Sequence, residues 1–159
     1  MSFTQDKDSD NYATDKAGWE LIQEYIPKDK KIWSPFYCDG KQKEYFKEMG
    51  MDIIHEDKDF FSYTPEYDII IDNPPFSKLK AISEKLKVLD KPFLLVCGSN
   101  LLLSKWFQQI FKDHLQVIIP FNRPTFTHLT SQKKGYTPPF GTMYYCYKMD
   151  LPKDLIFLR

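Results

Sequence analysis

The chain switches repeatedly between short apolar runs and segments whose apolar residues recur every three or four positions. Residues 15–26 place Trp19, Ile22 and Ile26 on one helical face, with Thr14 as the N-cap and Pro27 as the stop. Residues 31–36 read as a short strand that ends in a turn at Asp39-Gly40. Residues 42–49 predict a helix with Tyr45, Phe46 and Met49 inward, and Gly50 ends it. Residues 52–55 form the next strand, and residues 67–71 predict a strand buried on both faces. A helix over 77–89 turns Leu79, Ile82, Leu86 and Leu89 inward, and Ser77 stands at its cap. A strand over 92–97, a helix over 105–111 and strands over 116–119 and 142–148 complete the pattern. This alternation implies a single-domain α/β fold with an open, mostly parallel sheet. The final two strands are joined by a loop alone, which implies an antiparallel C-terminal strand at the sheet edge. No internal repeat and no second domain is visible.

Length and composition narrow the class. A chain of 159 residues can bury a substantial core in one domain. A formal net charge of zero argues against an electrostatically driven nucleic-acid coat, but it allows a local basic patch. Cys38, Cys97 and Cys146, like His55, His114 and His128, are scattered without metal-ligand spacing. They predict neither a zinc site nor a disulfide frame, in keeping with a reducing, cytoplasmic setting. No apolar run reaches membrane-spanning length, and no signal-peptide pattern opens the chain. The polar, Asp-rich residues 1–11 read as a disordered tail, which leaves 12–159 as the domain.

The sharpest chemical signal is Asn73-Pro74-Pro75-Phe76 at the end of the buried strand. The Asn73 side-chain oxygen and the Pro74 carbonyl are two acceptors that an exocyclic amino group can satisfy together. Phe76 offers a flat face for a planar base. The two prolines stiffen the turn and remove competing donors. In open α/β sheets, ligands bind outside the carboxyl ends of the strands. Three further segments fall there: Ser34 to Gly40, His55-Glu56-Asp57, and Asp59-Phe60-Phe61. In order, they offer a tight turn for close backbone approach, a carboxylate for ribose hydroxyls, and a polar-plus-aromatic pair for a base.

On these residues the chain resembles the Rossmann-like, S-adenosylmethionine-dependent amino methyltransferases. Within that group it looks most like the small bacterial and phage-type DNA adenine-N6 methyltransferases. The resemblance covers residues 12–149. Asn73-Pro74-Pro75-Phe76 matches the family's catalytic motif, which implies catalytic roles for Asn73, Pro74 and Phe76. Pro35, Phe36, Asp39 and Gly40 look like its cofactor loop. Glu56 or Asp57 is similar to its ribose-binding acid, and Asp59 with Phe60 to its adenine-binding pair. Tyr12 and Thr14 stand where an aromatic-Thr segment packs on the methionine part of the cofactor. Arg123, Phe126, Lys133, Lys134 and Tyr136 fall in the place of a base-contacting loop. The resemblance implies S-adenosyl-L-methionine as cofactor, no metal, and a nucleic-acid substrate, DNA before RNA. Two departures stand out: Ser34 replaces the usual acid and Cys38 the first loop glycine. The segment before the catalytic strand is compressed, so the third strand of the usual sheet is expected to be vestigial. No separate target-recognition domain is present, so loops, a protein partner or a second copy would supply recognition. The motif also serves RNA bases and protein glutamine, and a catalytically weak binding subunit is a further alternative.

Several of these residues have plainer readings. Ser77 caps its helix, and Asp59 caps a turn. Trp19, Trp33 and Trp106 are core, and the cysteines are packing residues. Lys78, Lys80, Lys85 and Lys87 form a solvated helix face. The connection between Phe121 and Gly141 is far longer than a hairpin loop, which predicts a mobile segment that closes over the target base.

Overall fold

The computed structural model describes residues 10–159. In chain order it contains β1 (Tyr12–Thr14), α1 (Lys16–Glu20), β2 (Ile32–Trp33), α2 (Gln42–Glu48), β3 (Ile53–Ile54) and β4 (Ile69–Asp72). There follow α3 (Leu79–Leu89), β5 (Phe93–Gly98), α4 (Lys105–Phe111), β6 (Leu115–Ile119), β7 (Phe126–His128), β8 (Thr142–Tyr147) and β9 (Leu155–Phe157). Seven strands form one sheet in the order β3-β2-β4-β5-β8-β6-β9. Neighbours are parallel except at β8, which runs antiparallel to both β5 and β6. This is the mostly parallel, Rossmann-like α/β sheet that the alternation predicts.

The antiparallel strand is not at the edge, contrary to the sequence expectation. β8 lies inside the sheet and β9 takes the edge beyond β6. All six residues of β8 are buried, and they alternate between two cores. Tyr144 and Cys146 pack with Trp19, Ile22, Phe46, Leu94 and Val96 on one face. Met143, Tyr145 and Tyr147 pack with Ile82, Leu86, Phe107 and Phe111 on the other. Helices thus cover both faces, and the period of two along β5 and β8 divides their side chains between the layers. Among the described residues no strand forms between Ile54 and Ile69, so β3 is the opposite edge, in keeping with the expectation of a vestigial third strand.

Helix boundaries differ from expectation where side chains find partners far along the chain. The helix expected over 15–26 stops at Glu20, and a 3₁₀ turn at Gln23–Tyr25 follows, yet Trp19, Ile22 and Ile26 are all buried. Asp15, not Thr14, holds the N-cap position, and its side chain caps nothing. Its carboxylate instead accepts Thr125 Oγ1 at 2.7 Å, Thr127 Oγ1 at 2.5 Å and the Gly135 amide at 3.3 Å. Thr14 lies in β1, which pairs antiparallel with β7 in the register Tyr12↔His128, Ala13↔Thr127 and Thr14↔Phe126. Phe126 also bridges Tyr136. The long connection before β8 is therefore a pinned ribbon over much of its length, not one open loop.

The expected disordered tail lies outside the described residues, apart from Asp10 and Asn11. Both of these are tied down: Asn11 Nδ2 donates to Thr130 Oγ1 at 2.7 Å, and Asp10 accepts from Ser77. No described helix is long and apolar enough to cross a membrane.

Candidate active site

A cleft of about 280 Å³ opens at the carboxyl ends of β2 and β4. It brings together Tyr12, Pro35, Phe36, Asp57, Asp59, Phe60, Asn73, Pro74 and Phe76 from the expected set. Thr14 and Asp39 line a smaller hollow on the other side of Asn73. Gly40 and Glu56 line neither, nor do Arg123, Phe126, Lys133, Lys134 and Tyr136.

Asn73 is held on two sides. Its backbone amide donates to its neighbour Asp72 Oδ1 at 2.7 Å, and its Nδ2 donates to the Tyr12 carbonyl at 3.4 Å. With the nitrogen so engaged, Oδ1 is left buried without a protein partner. Thr14 Oγ1 is buried and unpartnered as well. An orphaned buried acceptor costs about 1–3 kcal/mol, a cost that a donor bound in the adjoining cleft would remove. After the two prolines the chain turns through a 3₁₀ segment, Phe76–Lys78. Ser77 does not cap α3 as expected, because its amide and hydroxyl donate to Asp10. Asp10 thereby ties the N-terminal segment across the Asn-Pro-Pro-Phe turn and joins the cleft wall.

The loop after β2 is stitched to the end of β4. Ser34 Oγ donates to the Ile71 carbonyl at 2.6 Å, and Gln42 Nε2 reaches Ser34 Oγ at 2.8 Å. The Phe36 amide donates to Asp72 Oδ2 at 2.6 Å. An acid that Ser34 lacks is thus present one strand away, in Asp72. Burial pushes the Asp72 carboxyl up to about 8, against the downward pull of the Phe36 and Asn73 amides and of Gln42. Gly40 has φ +77°, a left-handed conformation that favours glycine, and a Cβ there would displace the Tyr37 hydroxyl, 2.5 Å away. Cys38 is also left-handed, at φ 52°, in the position expected to carry a glycine. Its residue is exposed, unlike Cys97 and Cys146, but its thiol is hemmed in where the cleft and the smaller hollow meet. Desolvation and the carboxylates of Asp72, Asp39 and Asp10 push its thiol up to about 12, so it is no nucleophile near neutrality.

Of the two candidate ribose acids, Asp57 lines the cleft. Glu56 is engaged elsewhere: it pairs with Lys58 at 3.2 Å and accepts the Tyr63 hydroxyl at 3.0 Å, and both bonds hold its carboxyl below the usual range. Asp59 caps a turn through the Phe61 amide at 3.2 Å and also lines the cleft. Phe60 is only 4 % exposed and packs on Trp33 and Phe36, whereas Phe61 is 45 % exposed. The ring free to stack is therefore Phe61, and Phe60 anchors the loop. Lys85 leaves the solvated helix face assigned to it: its ammonium donates to the Phe60 and Tyr63 carbonyls and lies 4.4 Å from the Phe60 ring centre. Burial lowers its pKa.

No family model matches the chain, and no curated protein matches it. Among solved structures, TrmN from Thermus thermophilus is similar with a TM-score of 0.42 at 11 % sequence identity, over 82 % of this chain and 48 % of that chain. This chain thus spans about half the length of that structure.

The expected base-contacting loop divides into different parts. Phe126 is 2 % exposed, a core residue of β7, and cannot stack on a ligand. Tyr136 stacks on the cleft residue Tyr12, with ring centres 4.8 Å apart. Arg123 Nη1 donates to the Pro138 carbonyl at 3.4 Å, while Lys133 and Lys134 are exposed. The loop aromatic that meets Phe76 is Phe140, edge-on at 6.0 Å and 41 % exposed. Tyr37 and Phe61 line the cleft from segments expected at the strand ends, without an individual role assigned to either, and Asp10, Lys58 and Lys78 line it although sequence reasoning gave them no role there. The adjacency of Lys58 to Asp57 and Asp59 is the one sequence signal for any of these three. Among the described residues, no group of three or more His, Cys, Asp or Glu side chains could hold a metal ion.

Proposed function

We propose that this chain is an S-adenosylmethionine-dependent methyltransferase acting on an exocyclic amino nitrogen, foremost N6 of adenine in DNA. The observation that carries the reading is the Asn73 amide, with its nitrogen committed to Tyr12 and its buried oxygen unpartnered. The residues present fit the cofactor. Asp57 offers a carboxylate to a pair of ribose hydroxyls, Asp59 an acceptor to a base amino group, and Phe61 an open ring. The cleft is near the lower end of the roughly 300–1,000 Å³ typical of ligand pockets.

When bound, S-adenosylmethionine supplies a methyl group carried on a cationic sulfur. Asn73 Oδ1 and the Pro74 carbonyl accept the two hydrogens of the target amino group. Holding both hydrogens turns the nitrogen lone pair, otherwise delocalised into the ring, out of the ring plane. Positive charge grows on that nitrogen as its new bond forms, and both acceptors stabilise it. Phe76 supports the base from one face, with Phe140 behind it. The surplus proton leaves afterwards to water, so no strong general base is required. A base in a duplex must first leave the stack, at a cost of a few kcal/mol that stacking on Phe76 offsets in part.

The test is labelled-methyl transfer to DNA, RNA and glutamine-bearing peptide, beside calorimetry with S-adenosylmethionine. Transfer to DNA adenine is expected, and transfer to RNA or peptide alone would redirect the substrate. A second reading, a methyltransferase-like binding subunit, is favoured by the strained Cys38 in the cofactor loop. Absence of cofactor binding at millimolar concentration would select it. Recognition of a target sequence then falls to the ribbon, a protein partner or a second copy of the chain.

A further inference from the structure

Asp72 stands where the two halves of the cleft meet. It ends β4 and is 1 % exposed. Oδ2 accepts the amide of Phe36, in the loop after β2, at 2.6 Å. Oδ1 accepts the amide of Asn73, in the turn after β4, at 2.7 Å. One carboxyl group therefore joins the Phe36 amide, 36 residues back in the chain, to the amide of the residue that follows it. Gln42 Nε2 adds a bond to the Ile71 carbonyl at 3.3 Å, so the loop and the strand end form one polar cluster. Burying a carboxyl group is costly, and an apolar residue of similar size would pack there more cheaply. What a carboxyl group offers, with or without its proton, is two oxygens at fixed spacing, one for each segment's N–H.

We propose that Asp72 is a positioning residue that fixes the loop 35–40 against the turn 73–76, so that cofactor binding and capture of the target amino group are coupled through one side chain. It does not line the main cleft and acts through Phe36 and Asn73, which do. This rests on the methyltransferase reading.

Asp72→Asn tests it. The amide keeps one acceptor and turns an NH2 group toward the other backbone N–H, so one segment is released. Affinity for S-adenosylhomocysteine, read by calorimetry, is expected to weaken by about tenfold or more. At saturating cofactor and substrate, kcat is expected to fall as well. Asn73→Ala, by contrast, should lower kcat and leave cofactor affinity unchanged. A residue that merely stabilises the fold would lower the melting temperature without moving either ligand parameter of the folded protein. Amide hydrogen exchange on the wild-type chain keeps the proposal testable if the variant does not fold. The Phe36 and Asn73 amides should be protected to the same degree and open together, and S-adenosylhomocysteine should protect both further. Unrelated exchange rates for the two amides, or wild-type affinity and kcat in Asp72→Asn, would overturn it. If the wild-type chain binds no cofactor and transfers no methyl group, the functional reading fails, and the exchange of the two amides still decides whether the clamp exists.

Discussion

The side-chain nitrogen of Asn73 donates to the carbonyl of Tyr12, 61 residues earlier, and this one bond decides which end of the amide is left to bind. The N-terminal strand thus orients the residue on which the proposed chemistry depends. Asn73→Ala should leave the melting temperature and cofactor affinity near wild type, because a side chain at a strand end opens no core cavity. Single-turnover methyl transfer should fall roughly a hundredfold to a thousandfold, or about 2.7–4 kcal/mol, as expected for one preorganised polar group. Transfer at the wild-type rate would remove Asn73 from the mechanism.

Phe76→Ala addresses binding instead. The ring is half-buried and touches Phe140 edge-on, so its loss should weaken target binding by about 1–3 kcal/mol through lost stacking. Cofactor affinity should not change. Equal titration of target by variant and wild type would show that the base does not lie on this ring.

Cys38 sits in a left-handed conformation at φ 52° and gains nothing from its inert thiol. Cys38→Gly relieves a backbone cost of about 1–2 kcal/mol and incurs part of it again as unfolded-chain entropy. The expected net is a gain of about 0.5–1 kcal/mol in chemical denaturation, with cofactor affinity equal or better. A loss of stability would mean that the thiol packs more productively than its exposure implies.

Asp15→Ala should loosen the ribbon. It removes the acceptor for Thr125, Thr127 and the Gly135 amide and leaves the buried Thr127 hydroxyl unsatisfied. A loss of about 1–3 kcal/mol is expected, with faster proteolytic cutting between residues 128 and 138. Unchanged cutting would show that strand pairing with Tyr12–Thr14 holds the ribbon by itself.

Burial sets a pH dependence. The Asp72 carboxyl is held up to about 8 in the folded chain, against an ordinary value of 3.8. Between those values the folded state keeps a proton that the unfolded state has released. Its contribution to stability is therefore full below about pH 4 and is lost as pH rises through about 8. His55 opposes this: burial lowers its pKa from 6.5, so it favours the fold above that value and loses its contribution as pH falls. Asp72→Asn removes the first effect only. Wild-type stability minus variant stability should be larger at about pH 5 than at about pH 8.5 in urea titrations. A difference that is flat or rises with pH would show that Asp72 is ionised throughout.

The parts of this architecture that were legible in the sequence are those governed by neighbours along the chain. The helix α4 falls on its expected residues, 105–111, because Trp106, Phe107, Ile110 and Phe111 repeat at helical spacing. The buried run through Ile69, Ile70 and Ile71 placed β4, and with it Asn73, at a strand end. What escaped is non-local. β1 and β7 are three residues each, too short for a period, and exist because they pair with each other. Phe126 reads as a loop aromatic until β1 covers it. Asp72 reads as the last polar residue before a turn, and only the arrival of the Phe36 amide makes it part of the site. Lys85 looks solvated by helical spacing, yet carbonyls from the 59–63 segment reach it.

The placement of β8 also bears on how the chain folds as it is made. Strand β5 meets β8 over six residue pairs, and β6 meets β8 over four, with no pairing between β5 and β6 themselves. The sheet is therefore two unfinished pieces until residues 142–147 are inserted between them. During synthesis, at roughly 5–20 residues per second, the β5 edge waits with its backbone groups unpaired and its apolar faces half covered. Folding from the N-terminus forward can assemble only β3, β2, β4 and β5. Until β8 arrives, the open β5 edge is where aggregation or chaperone capture would act.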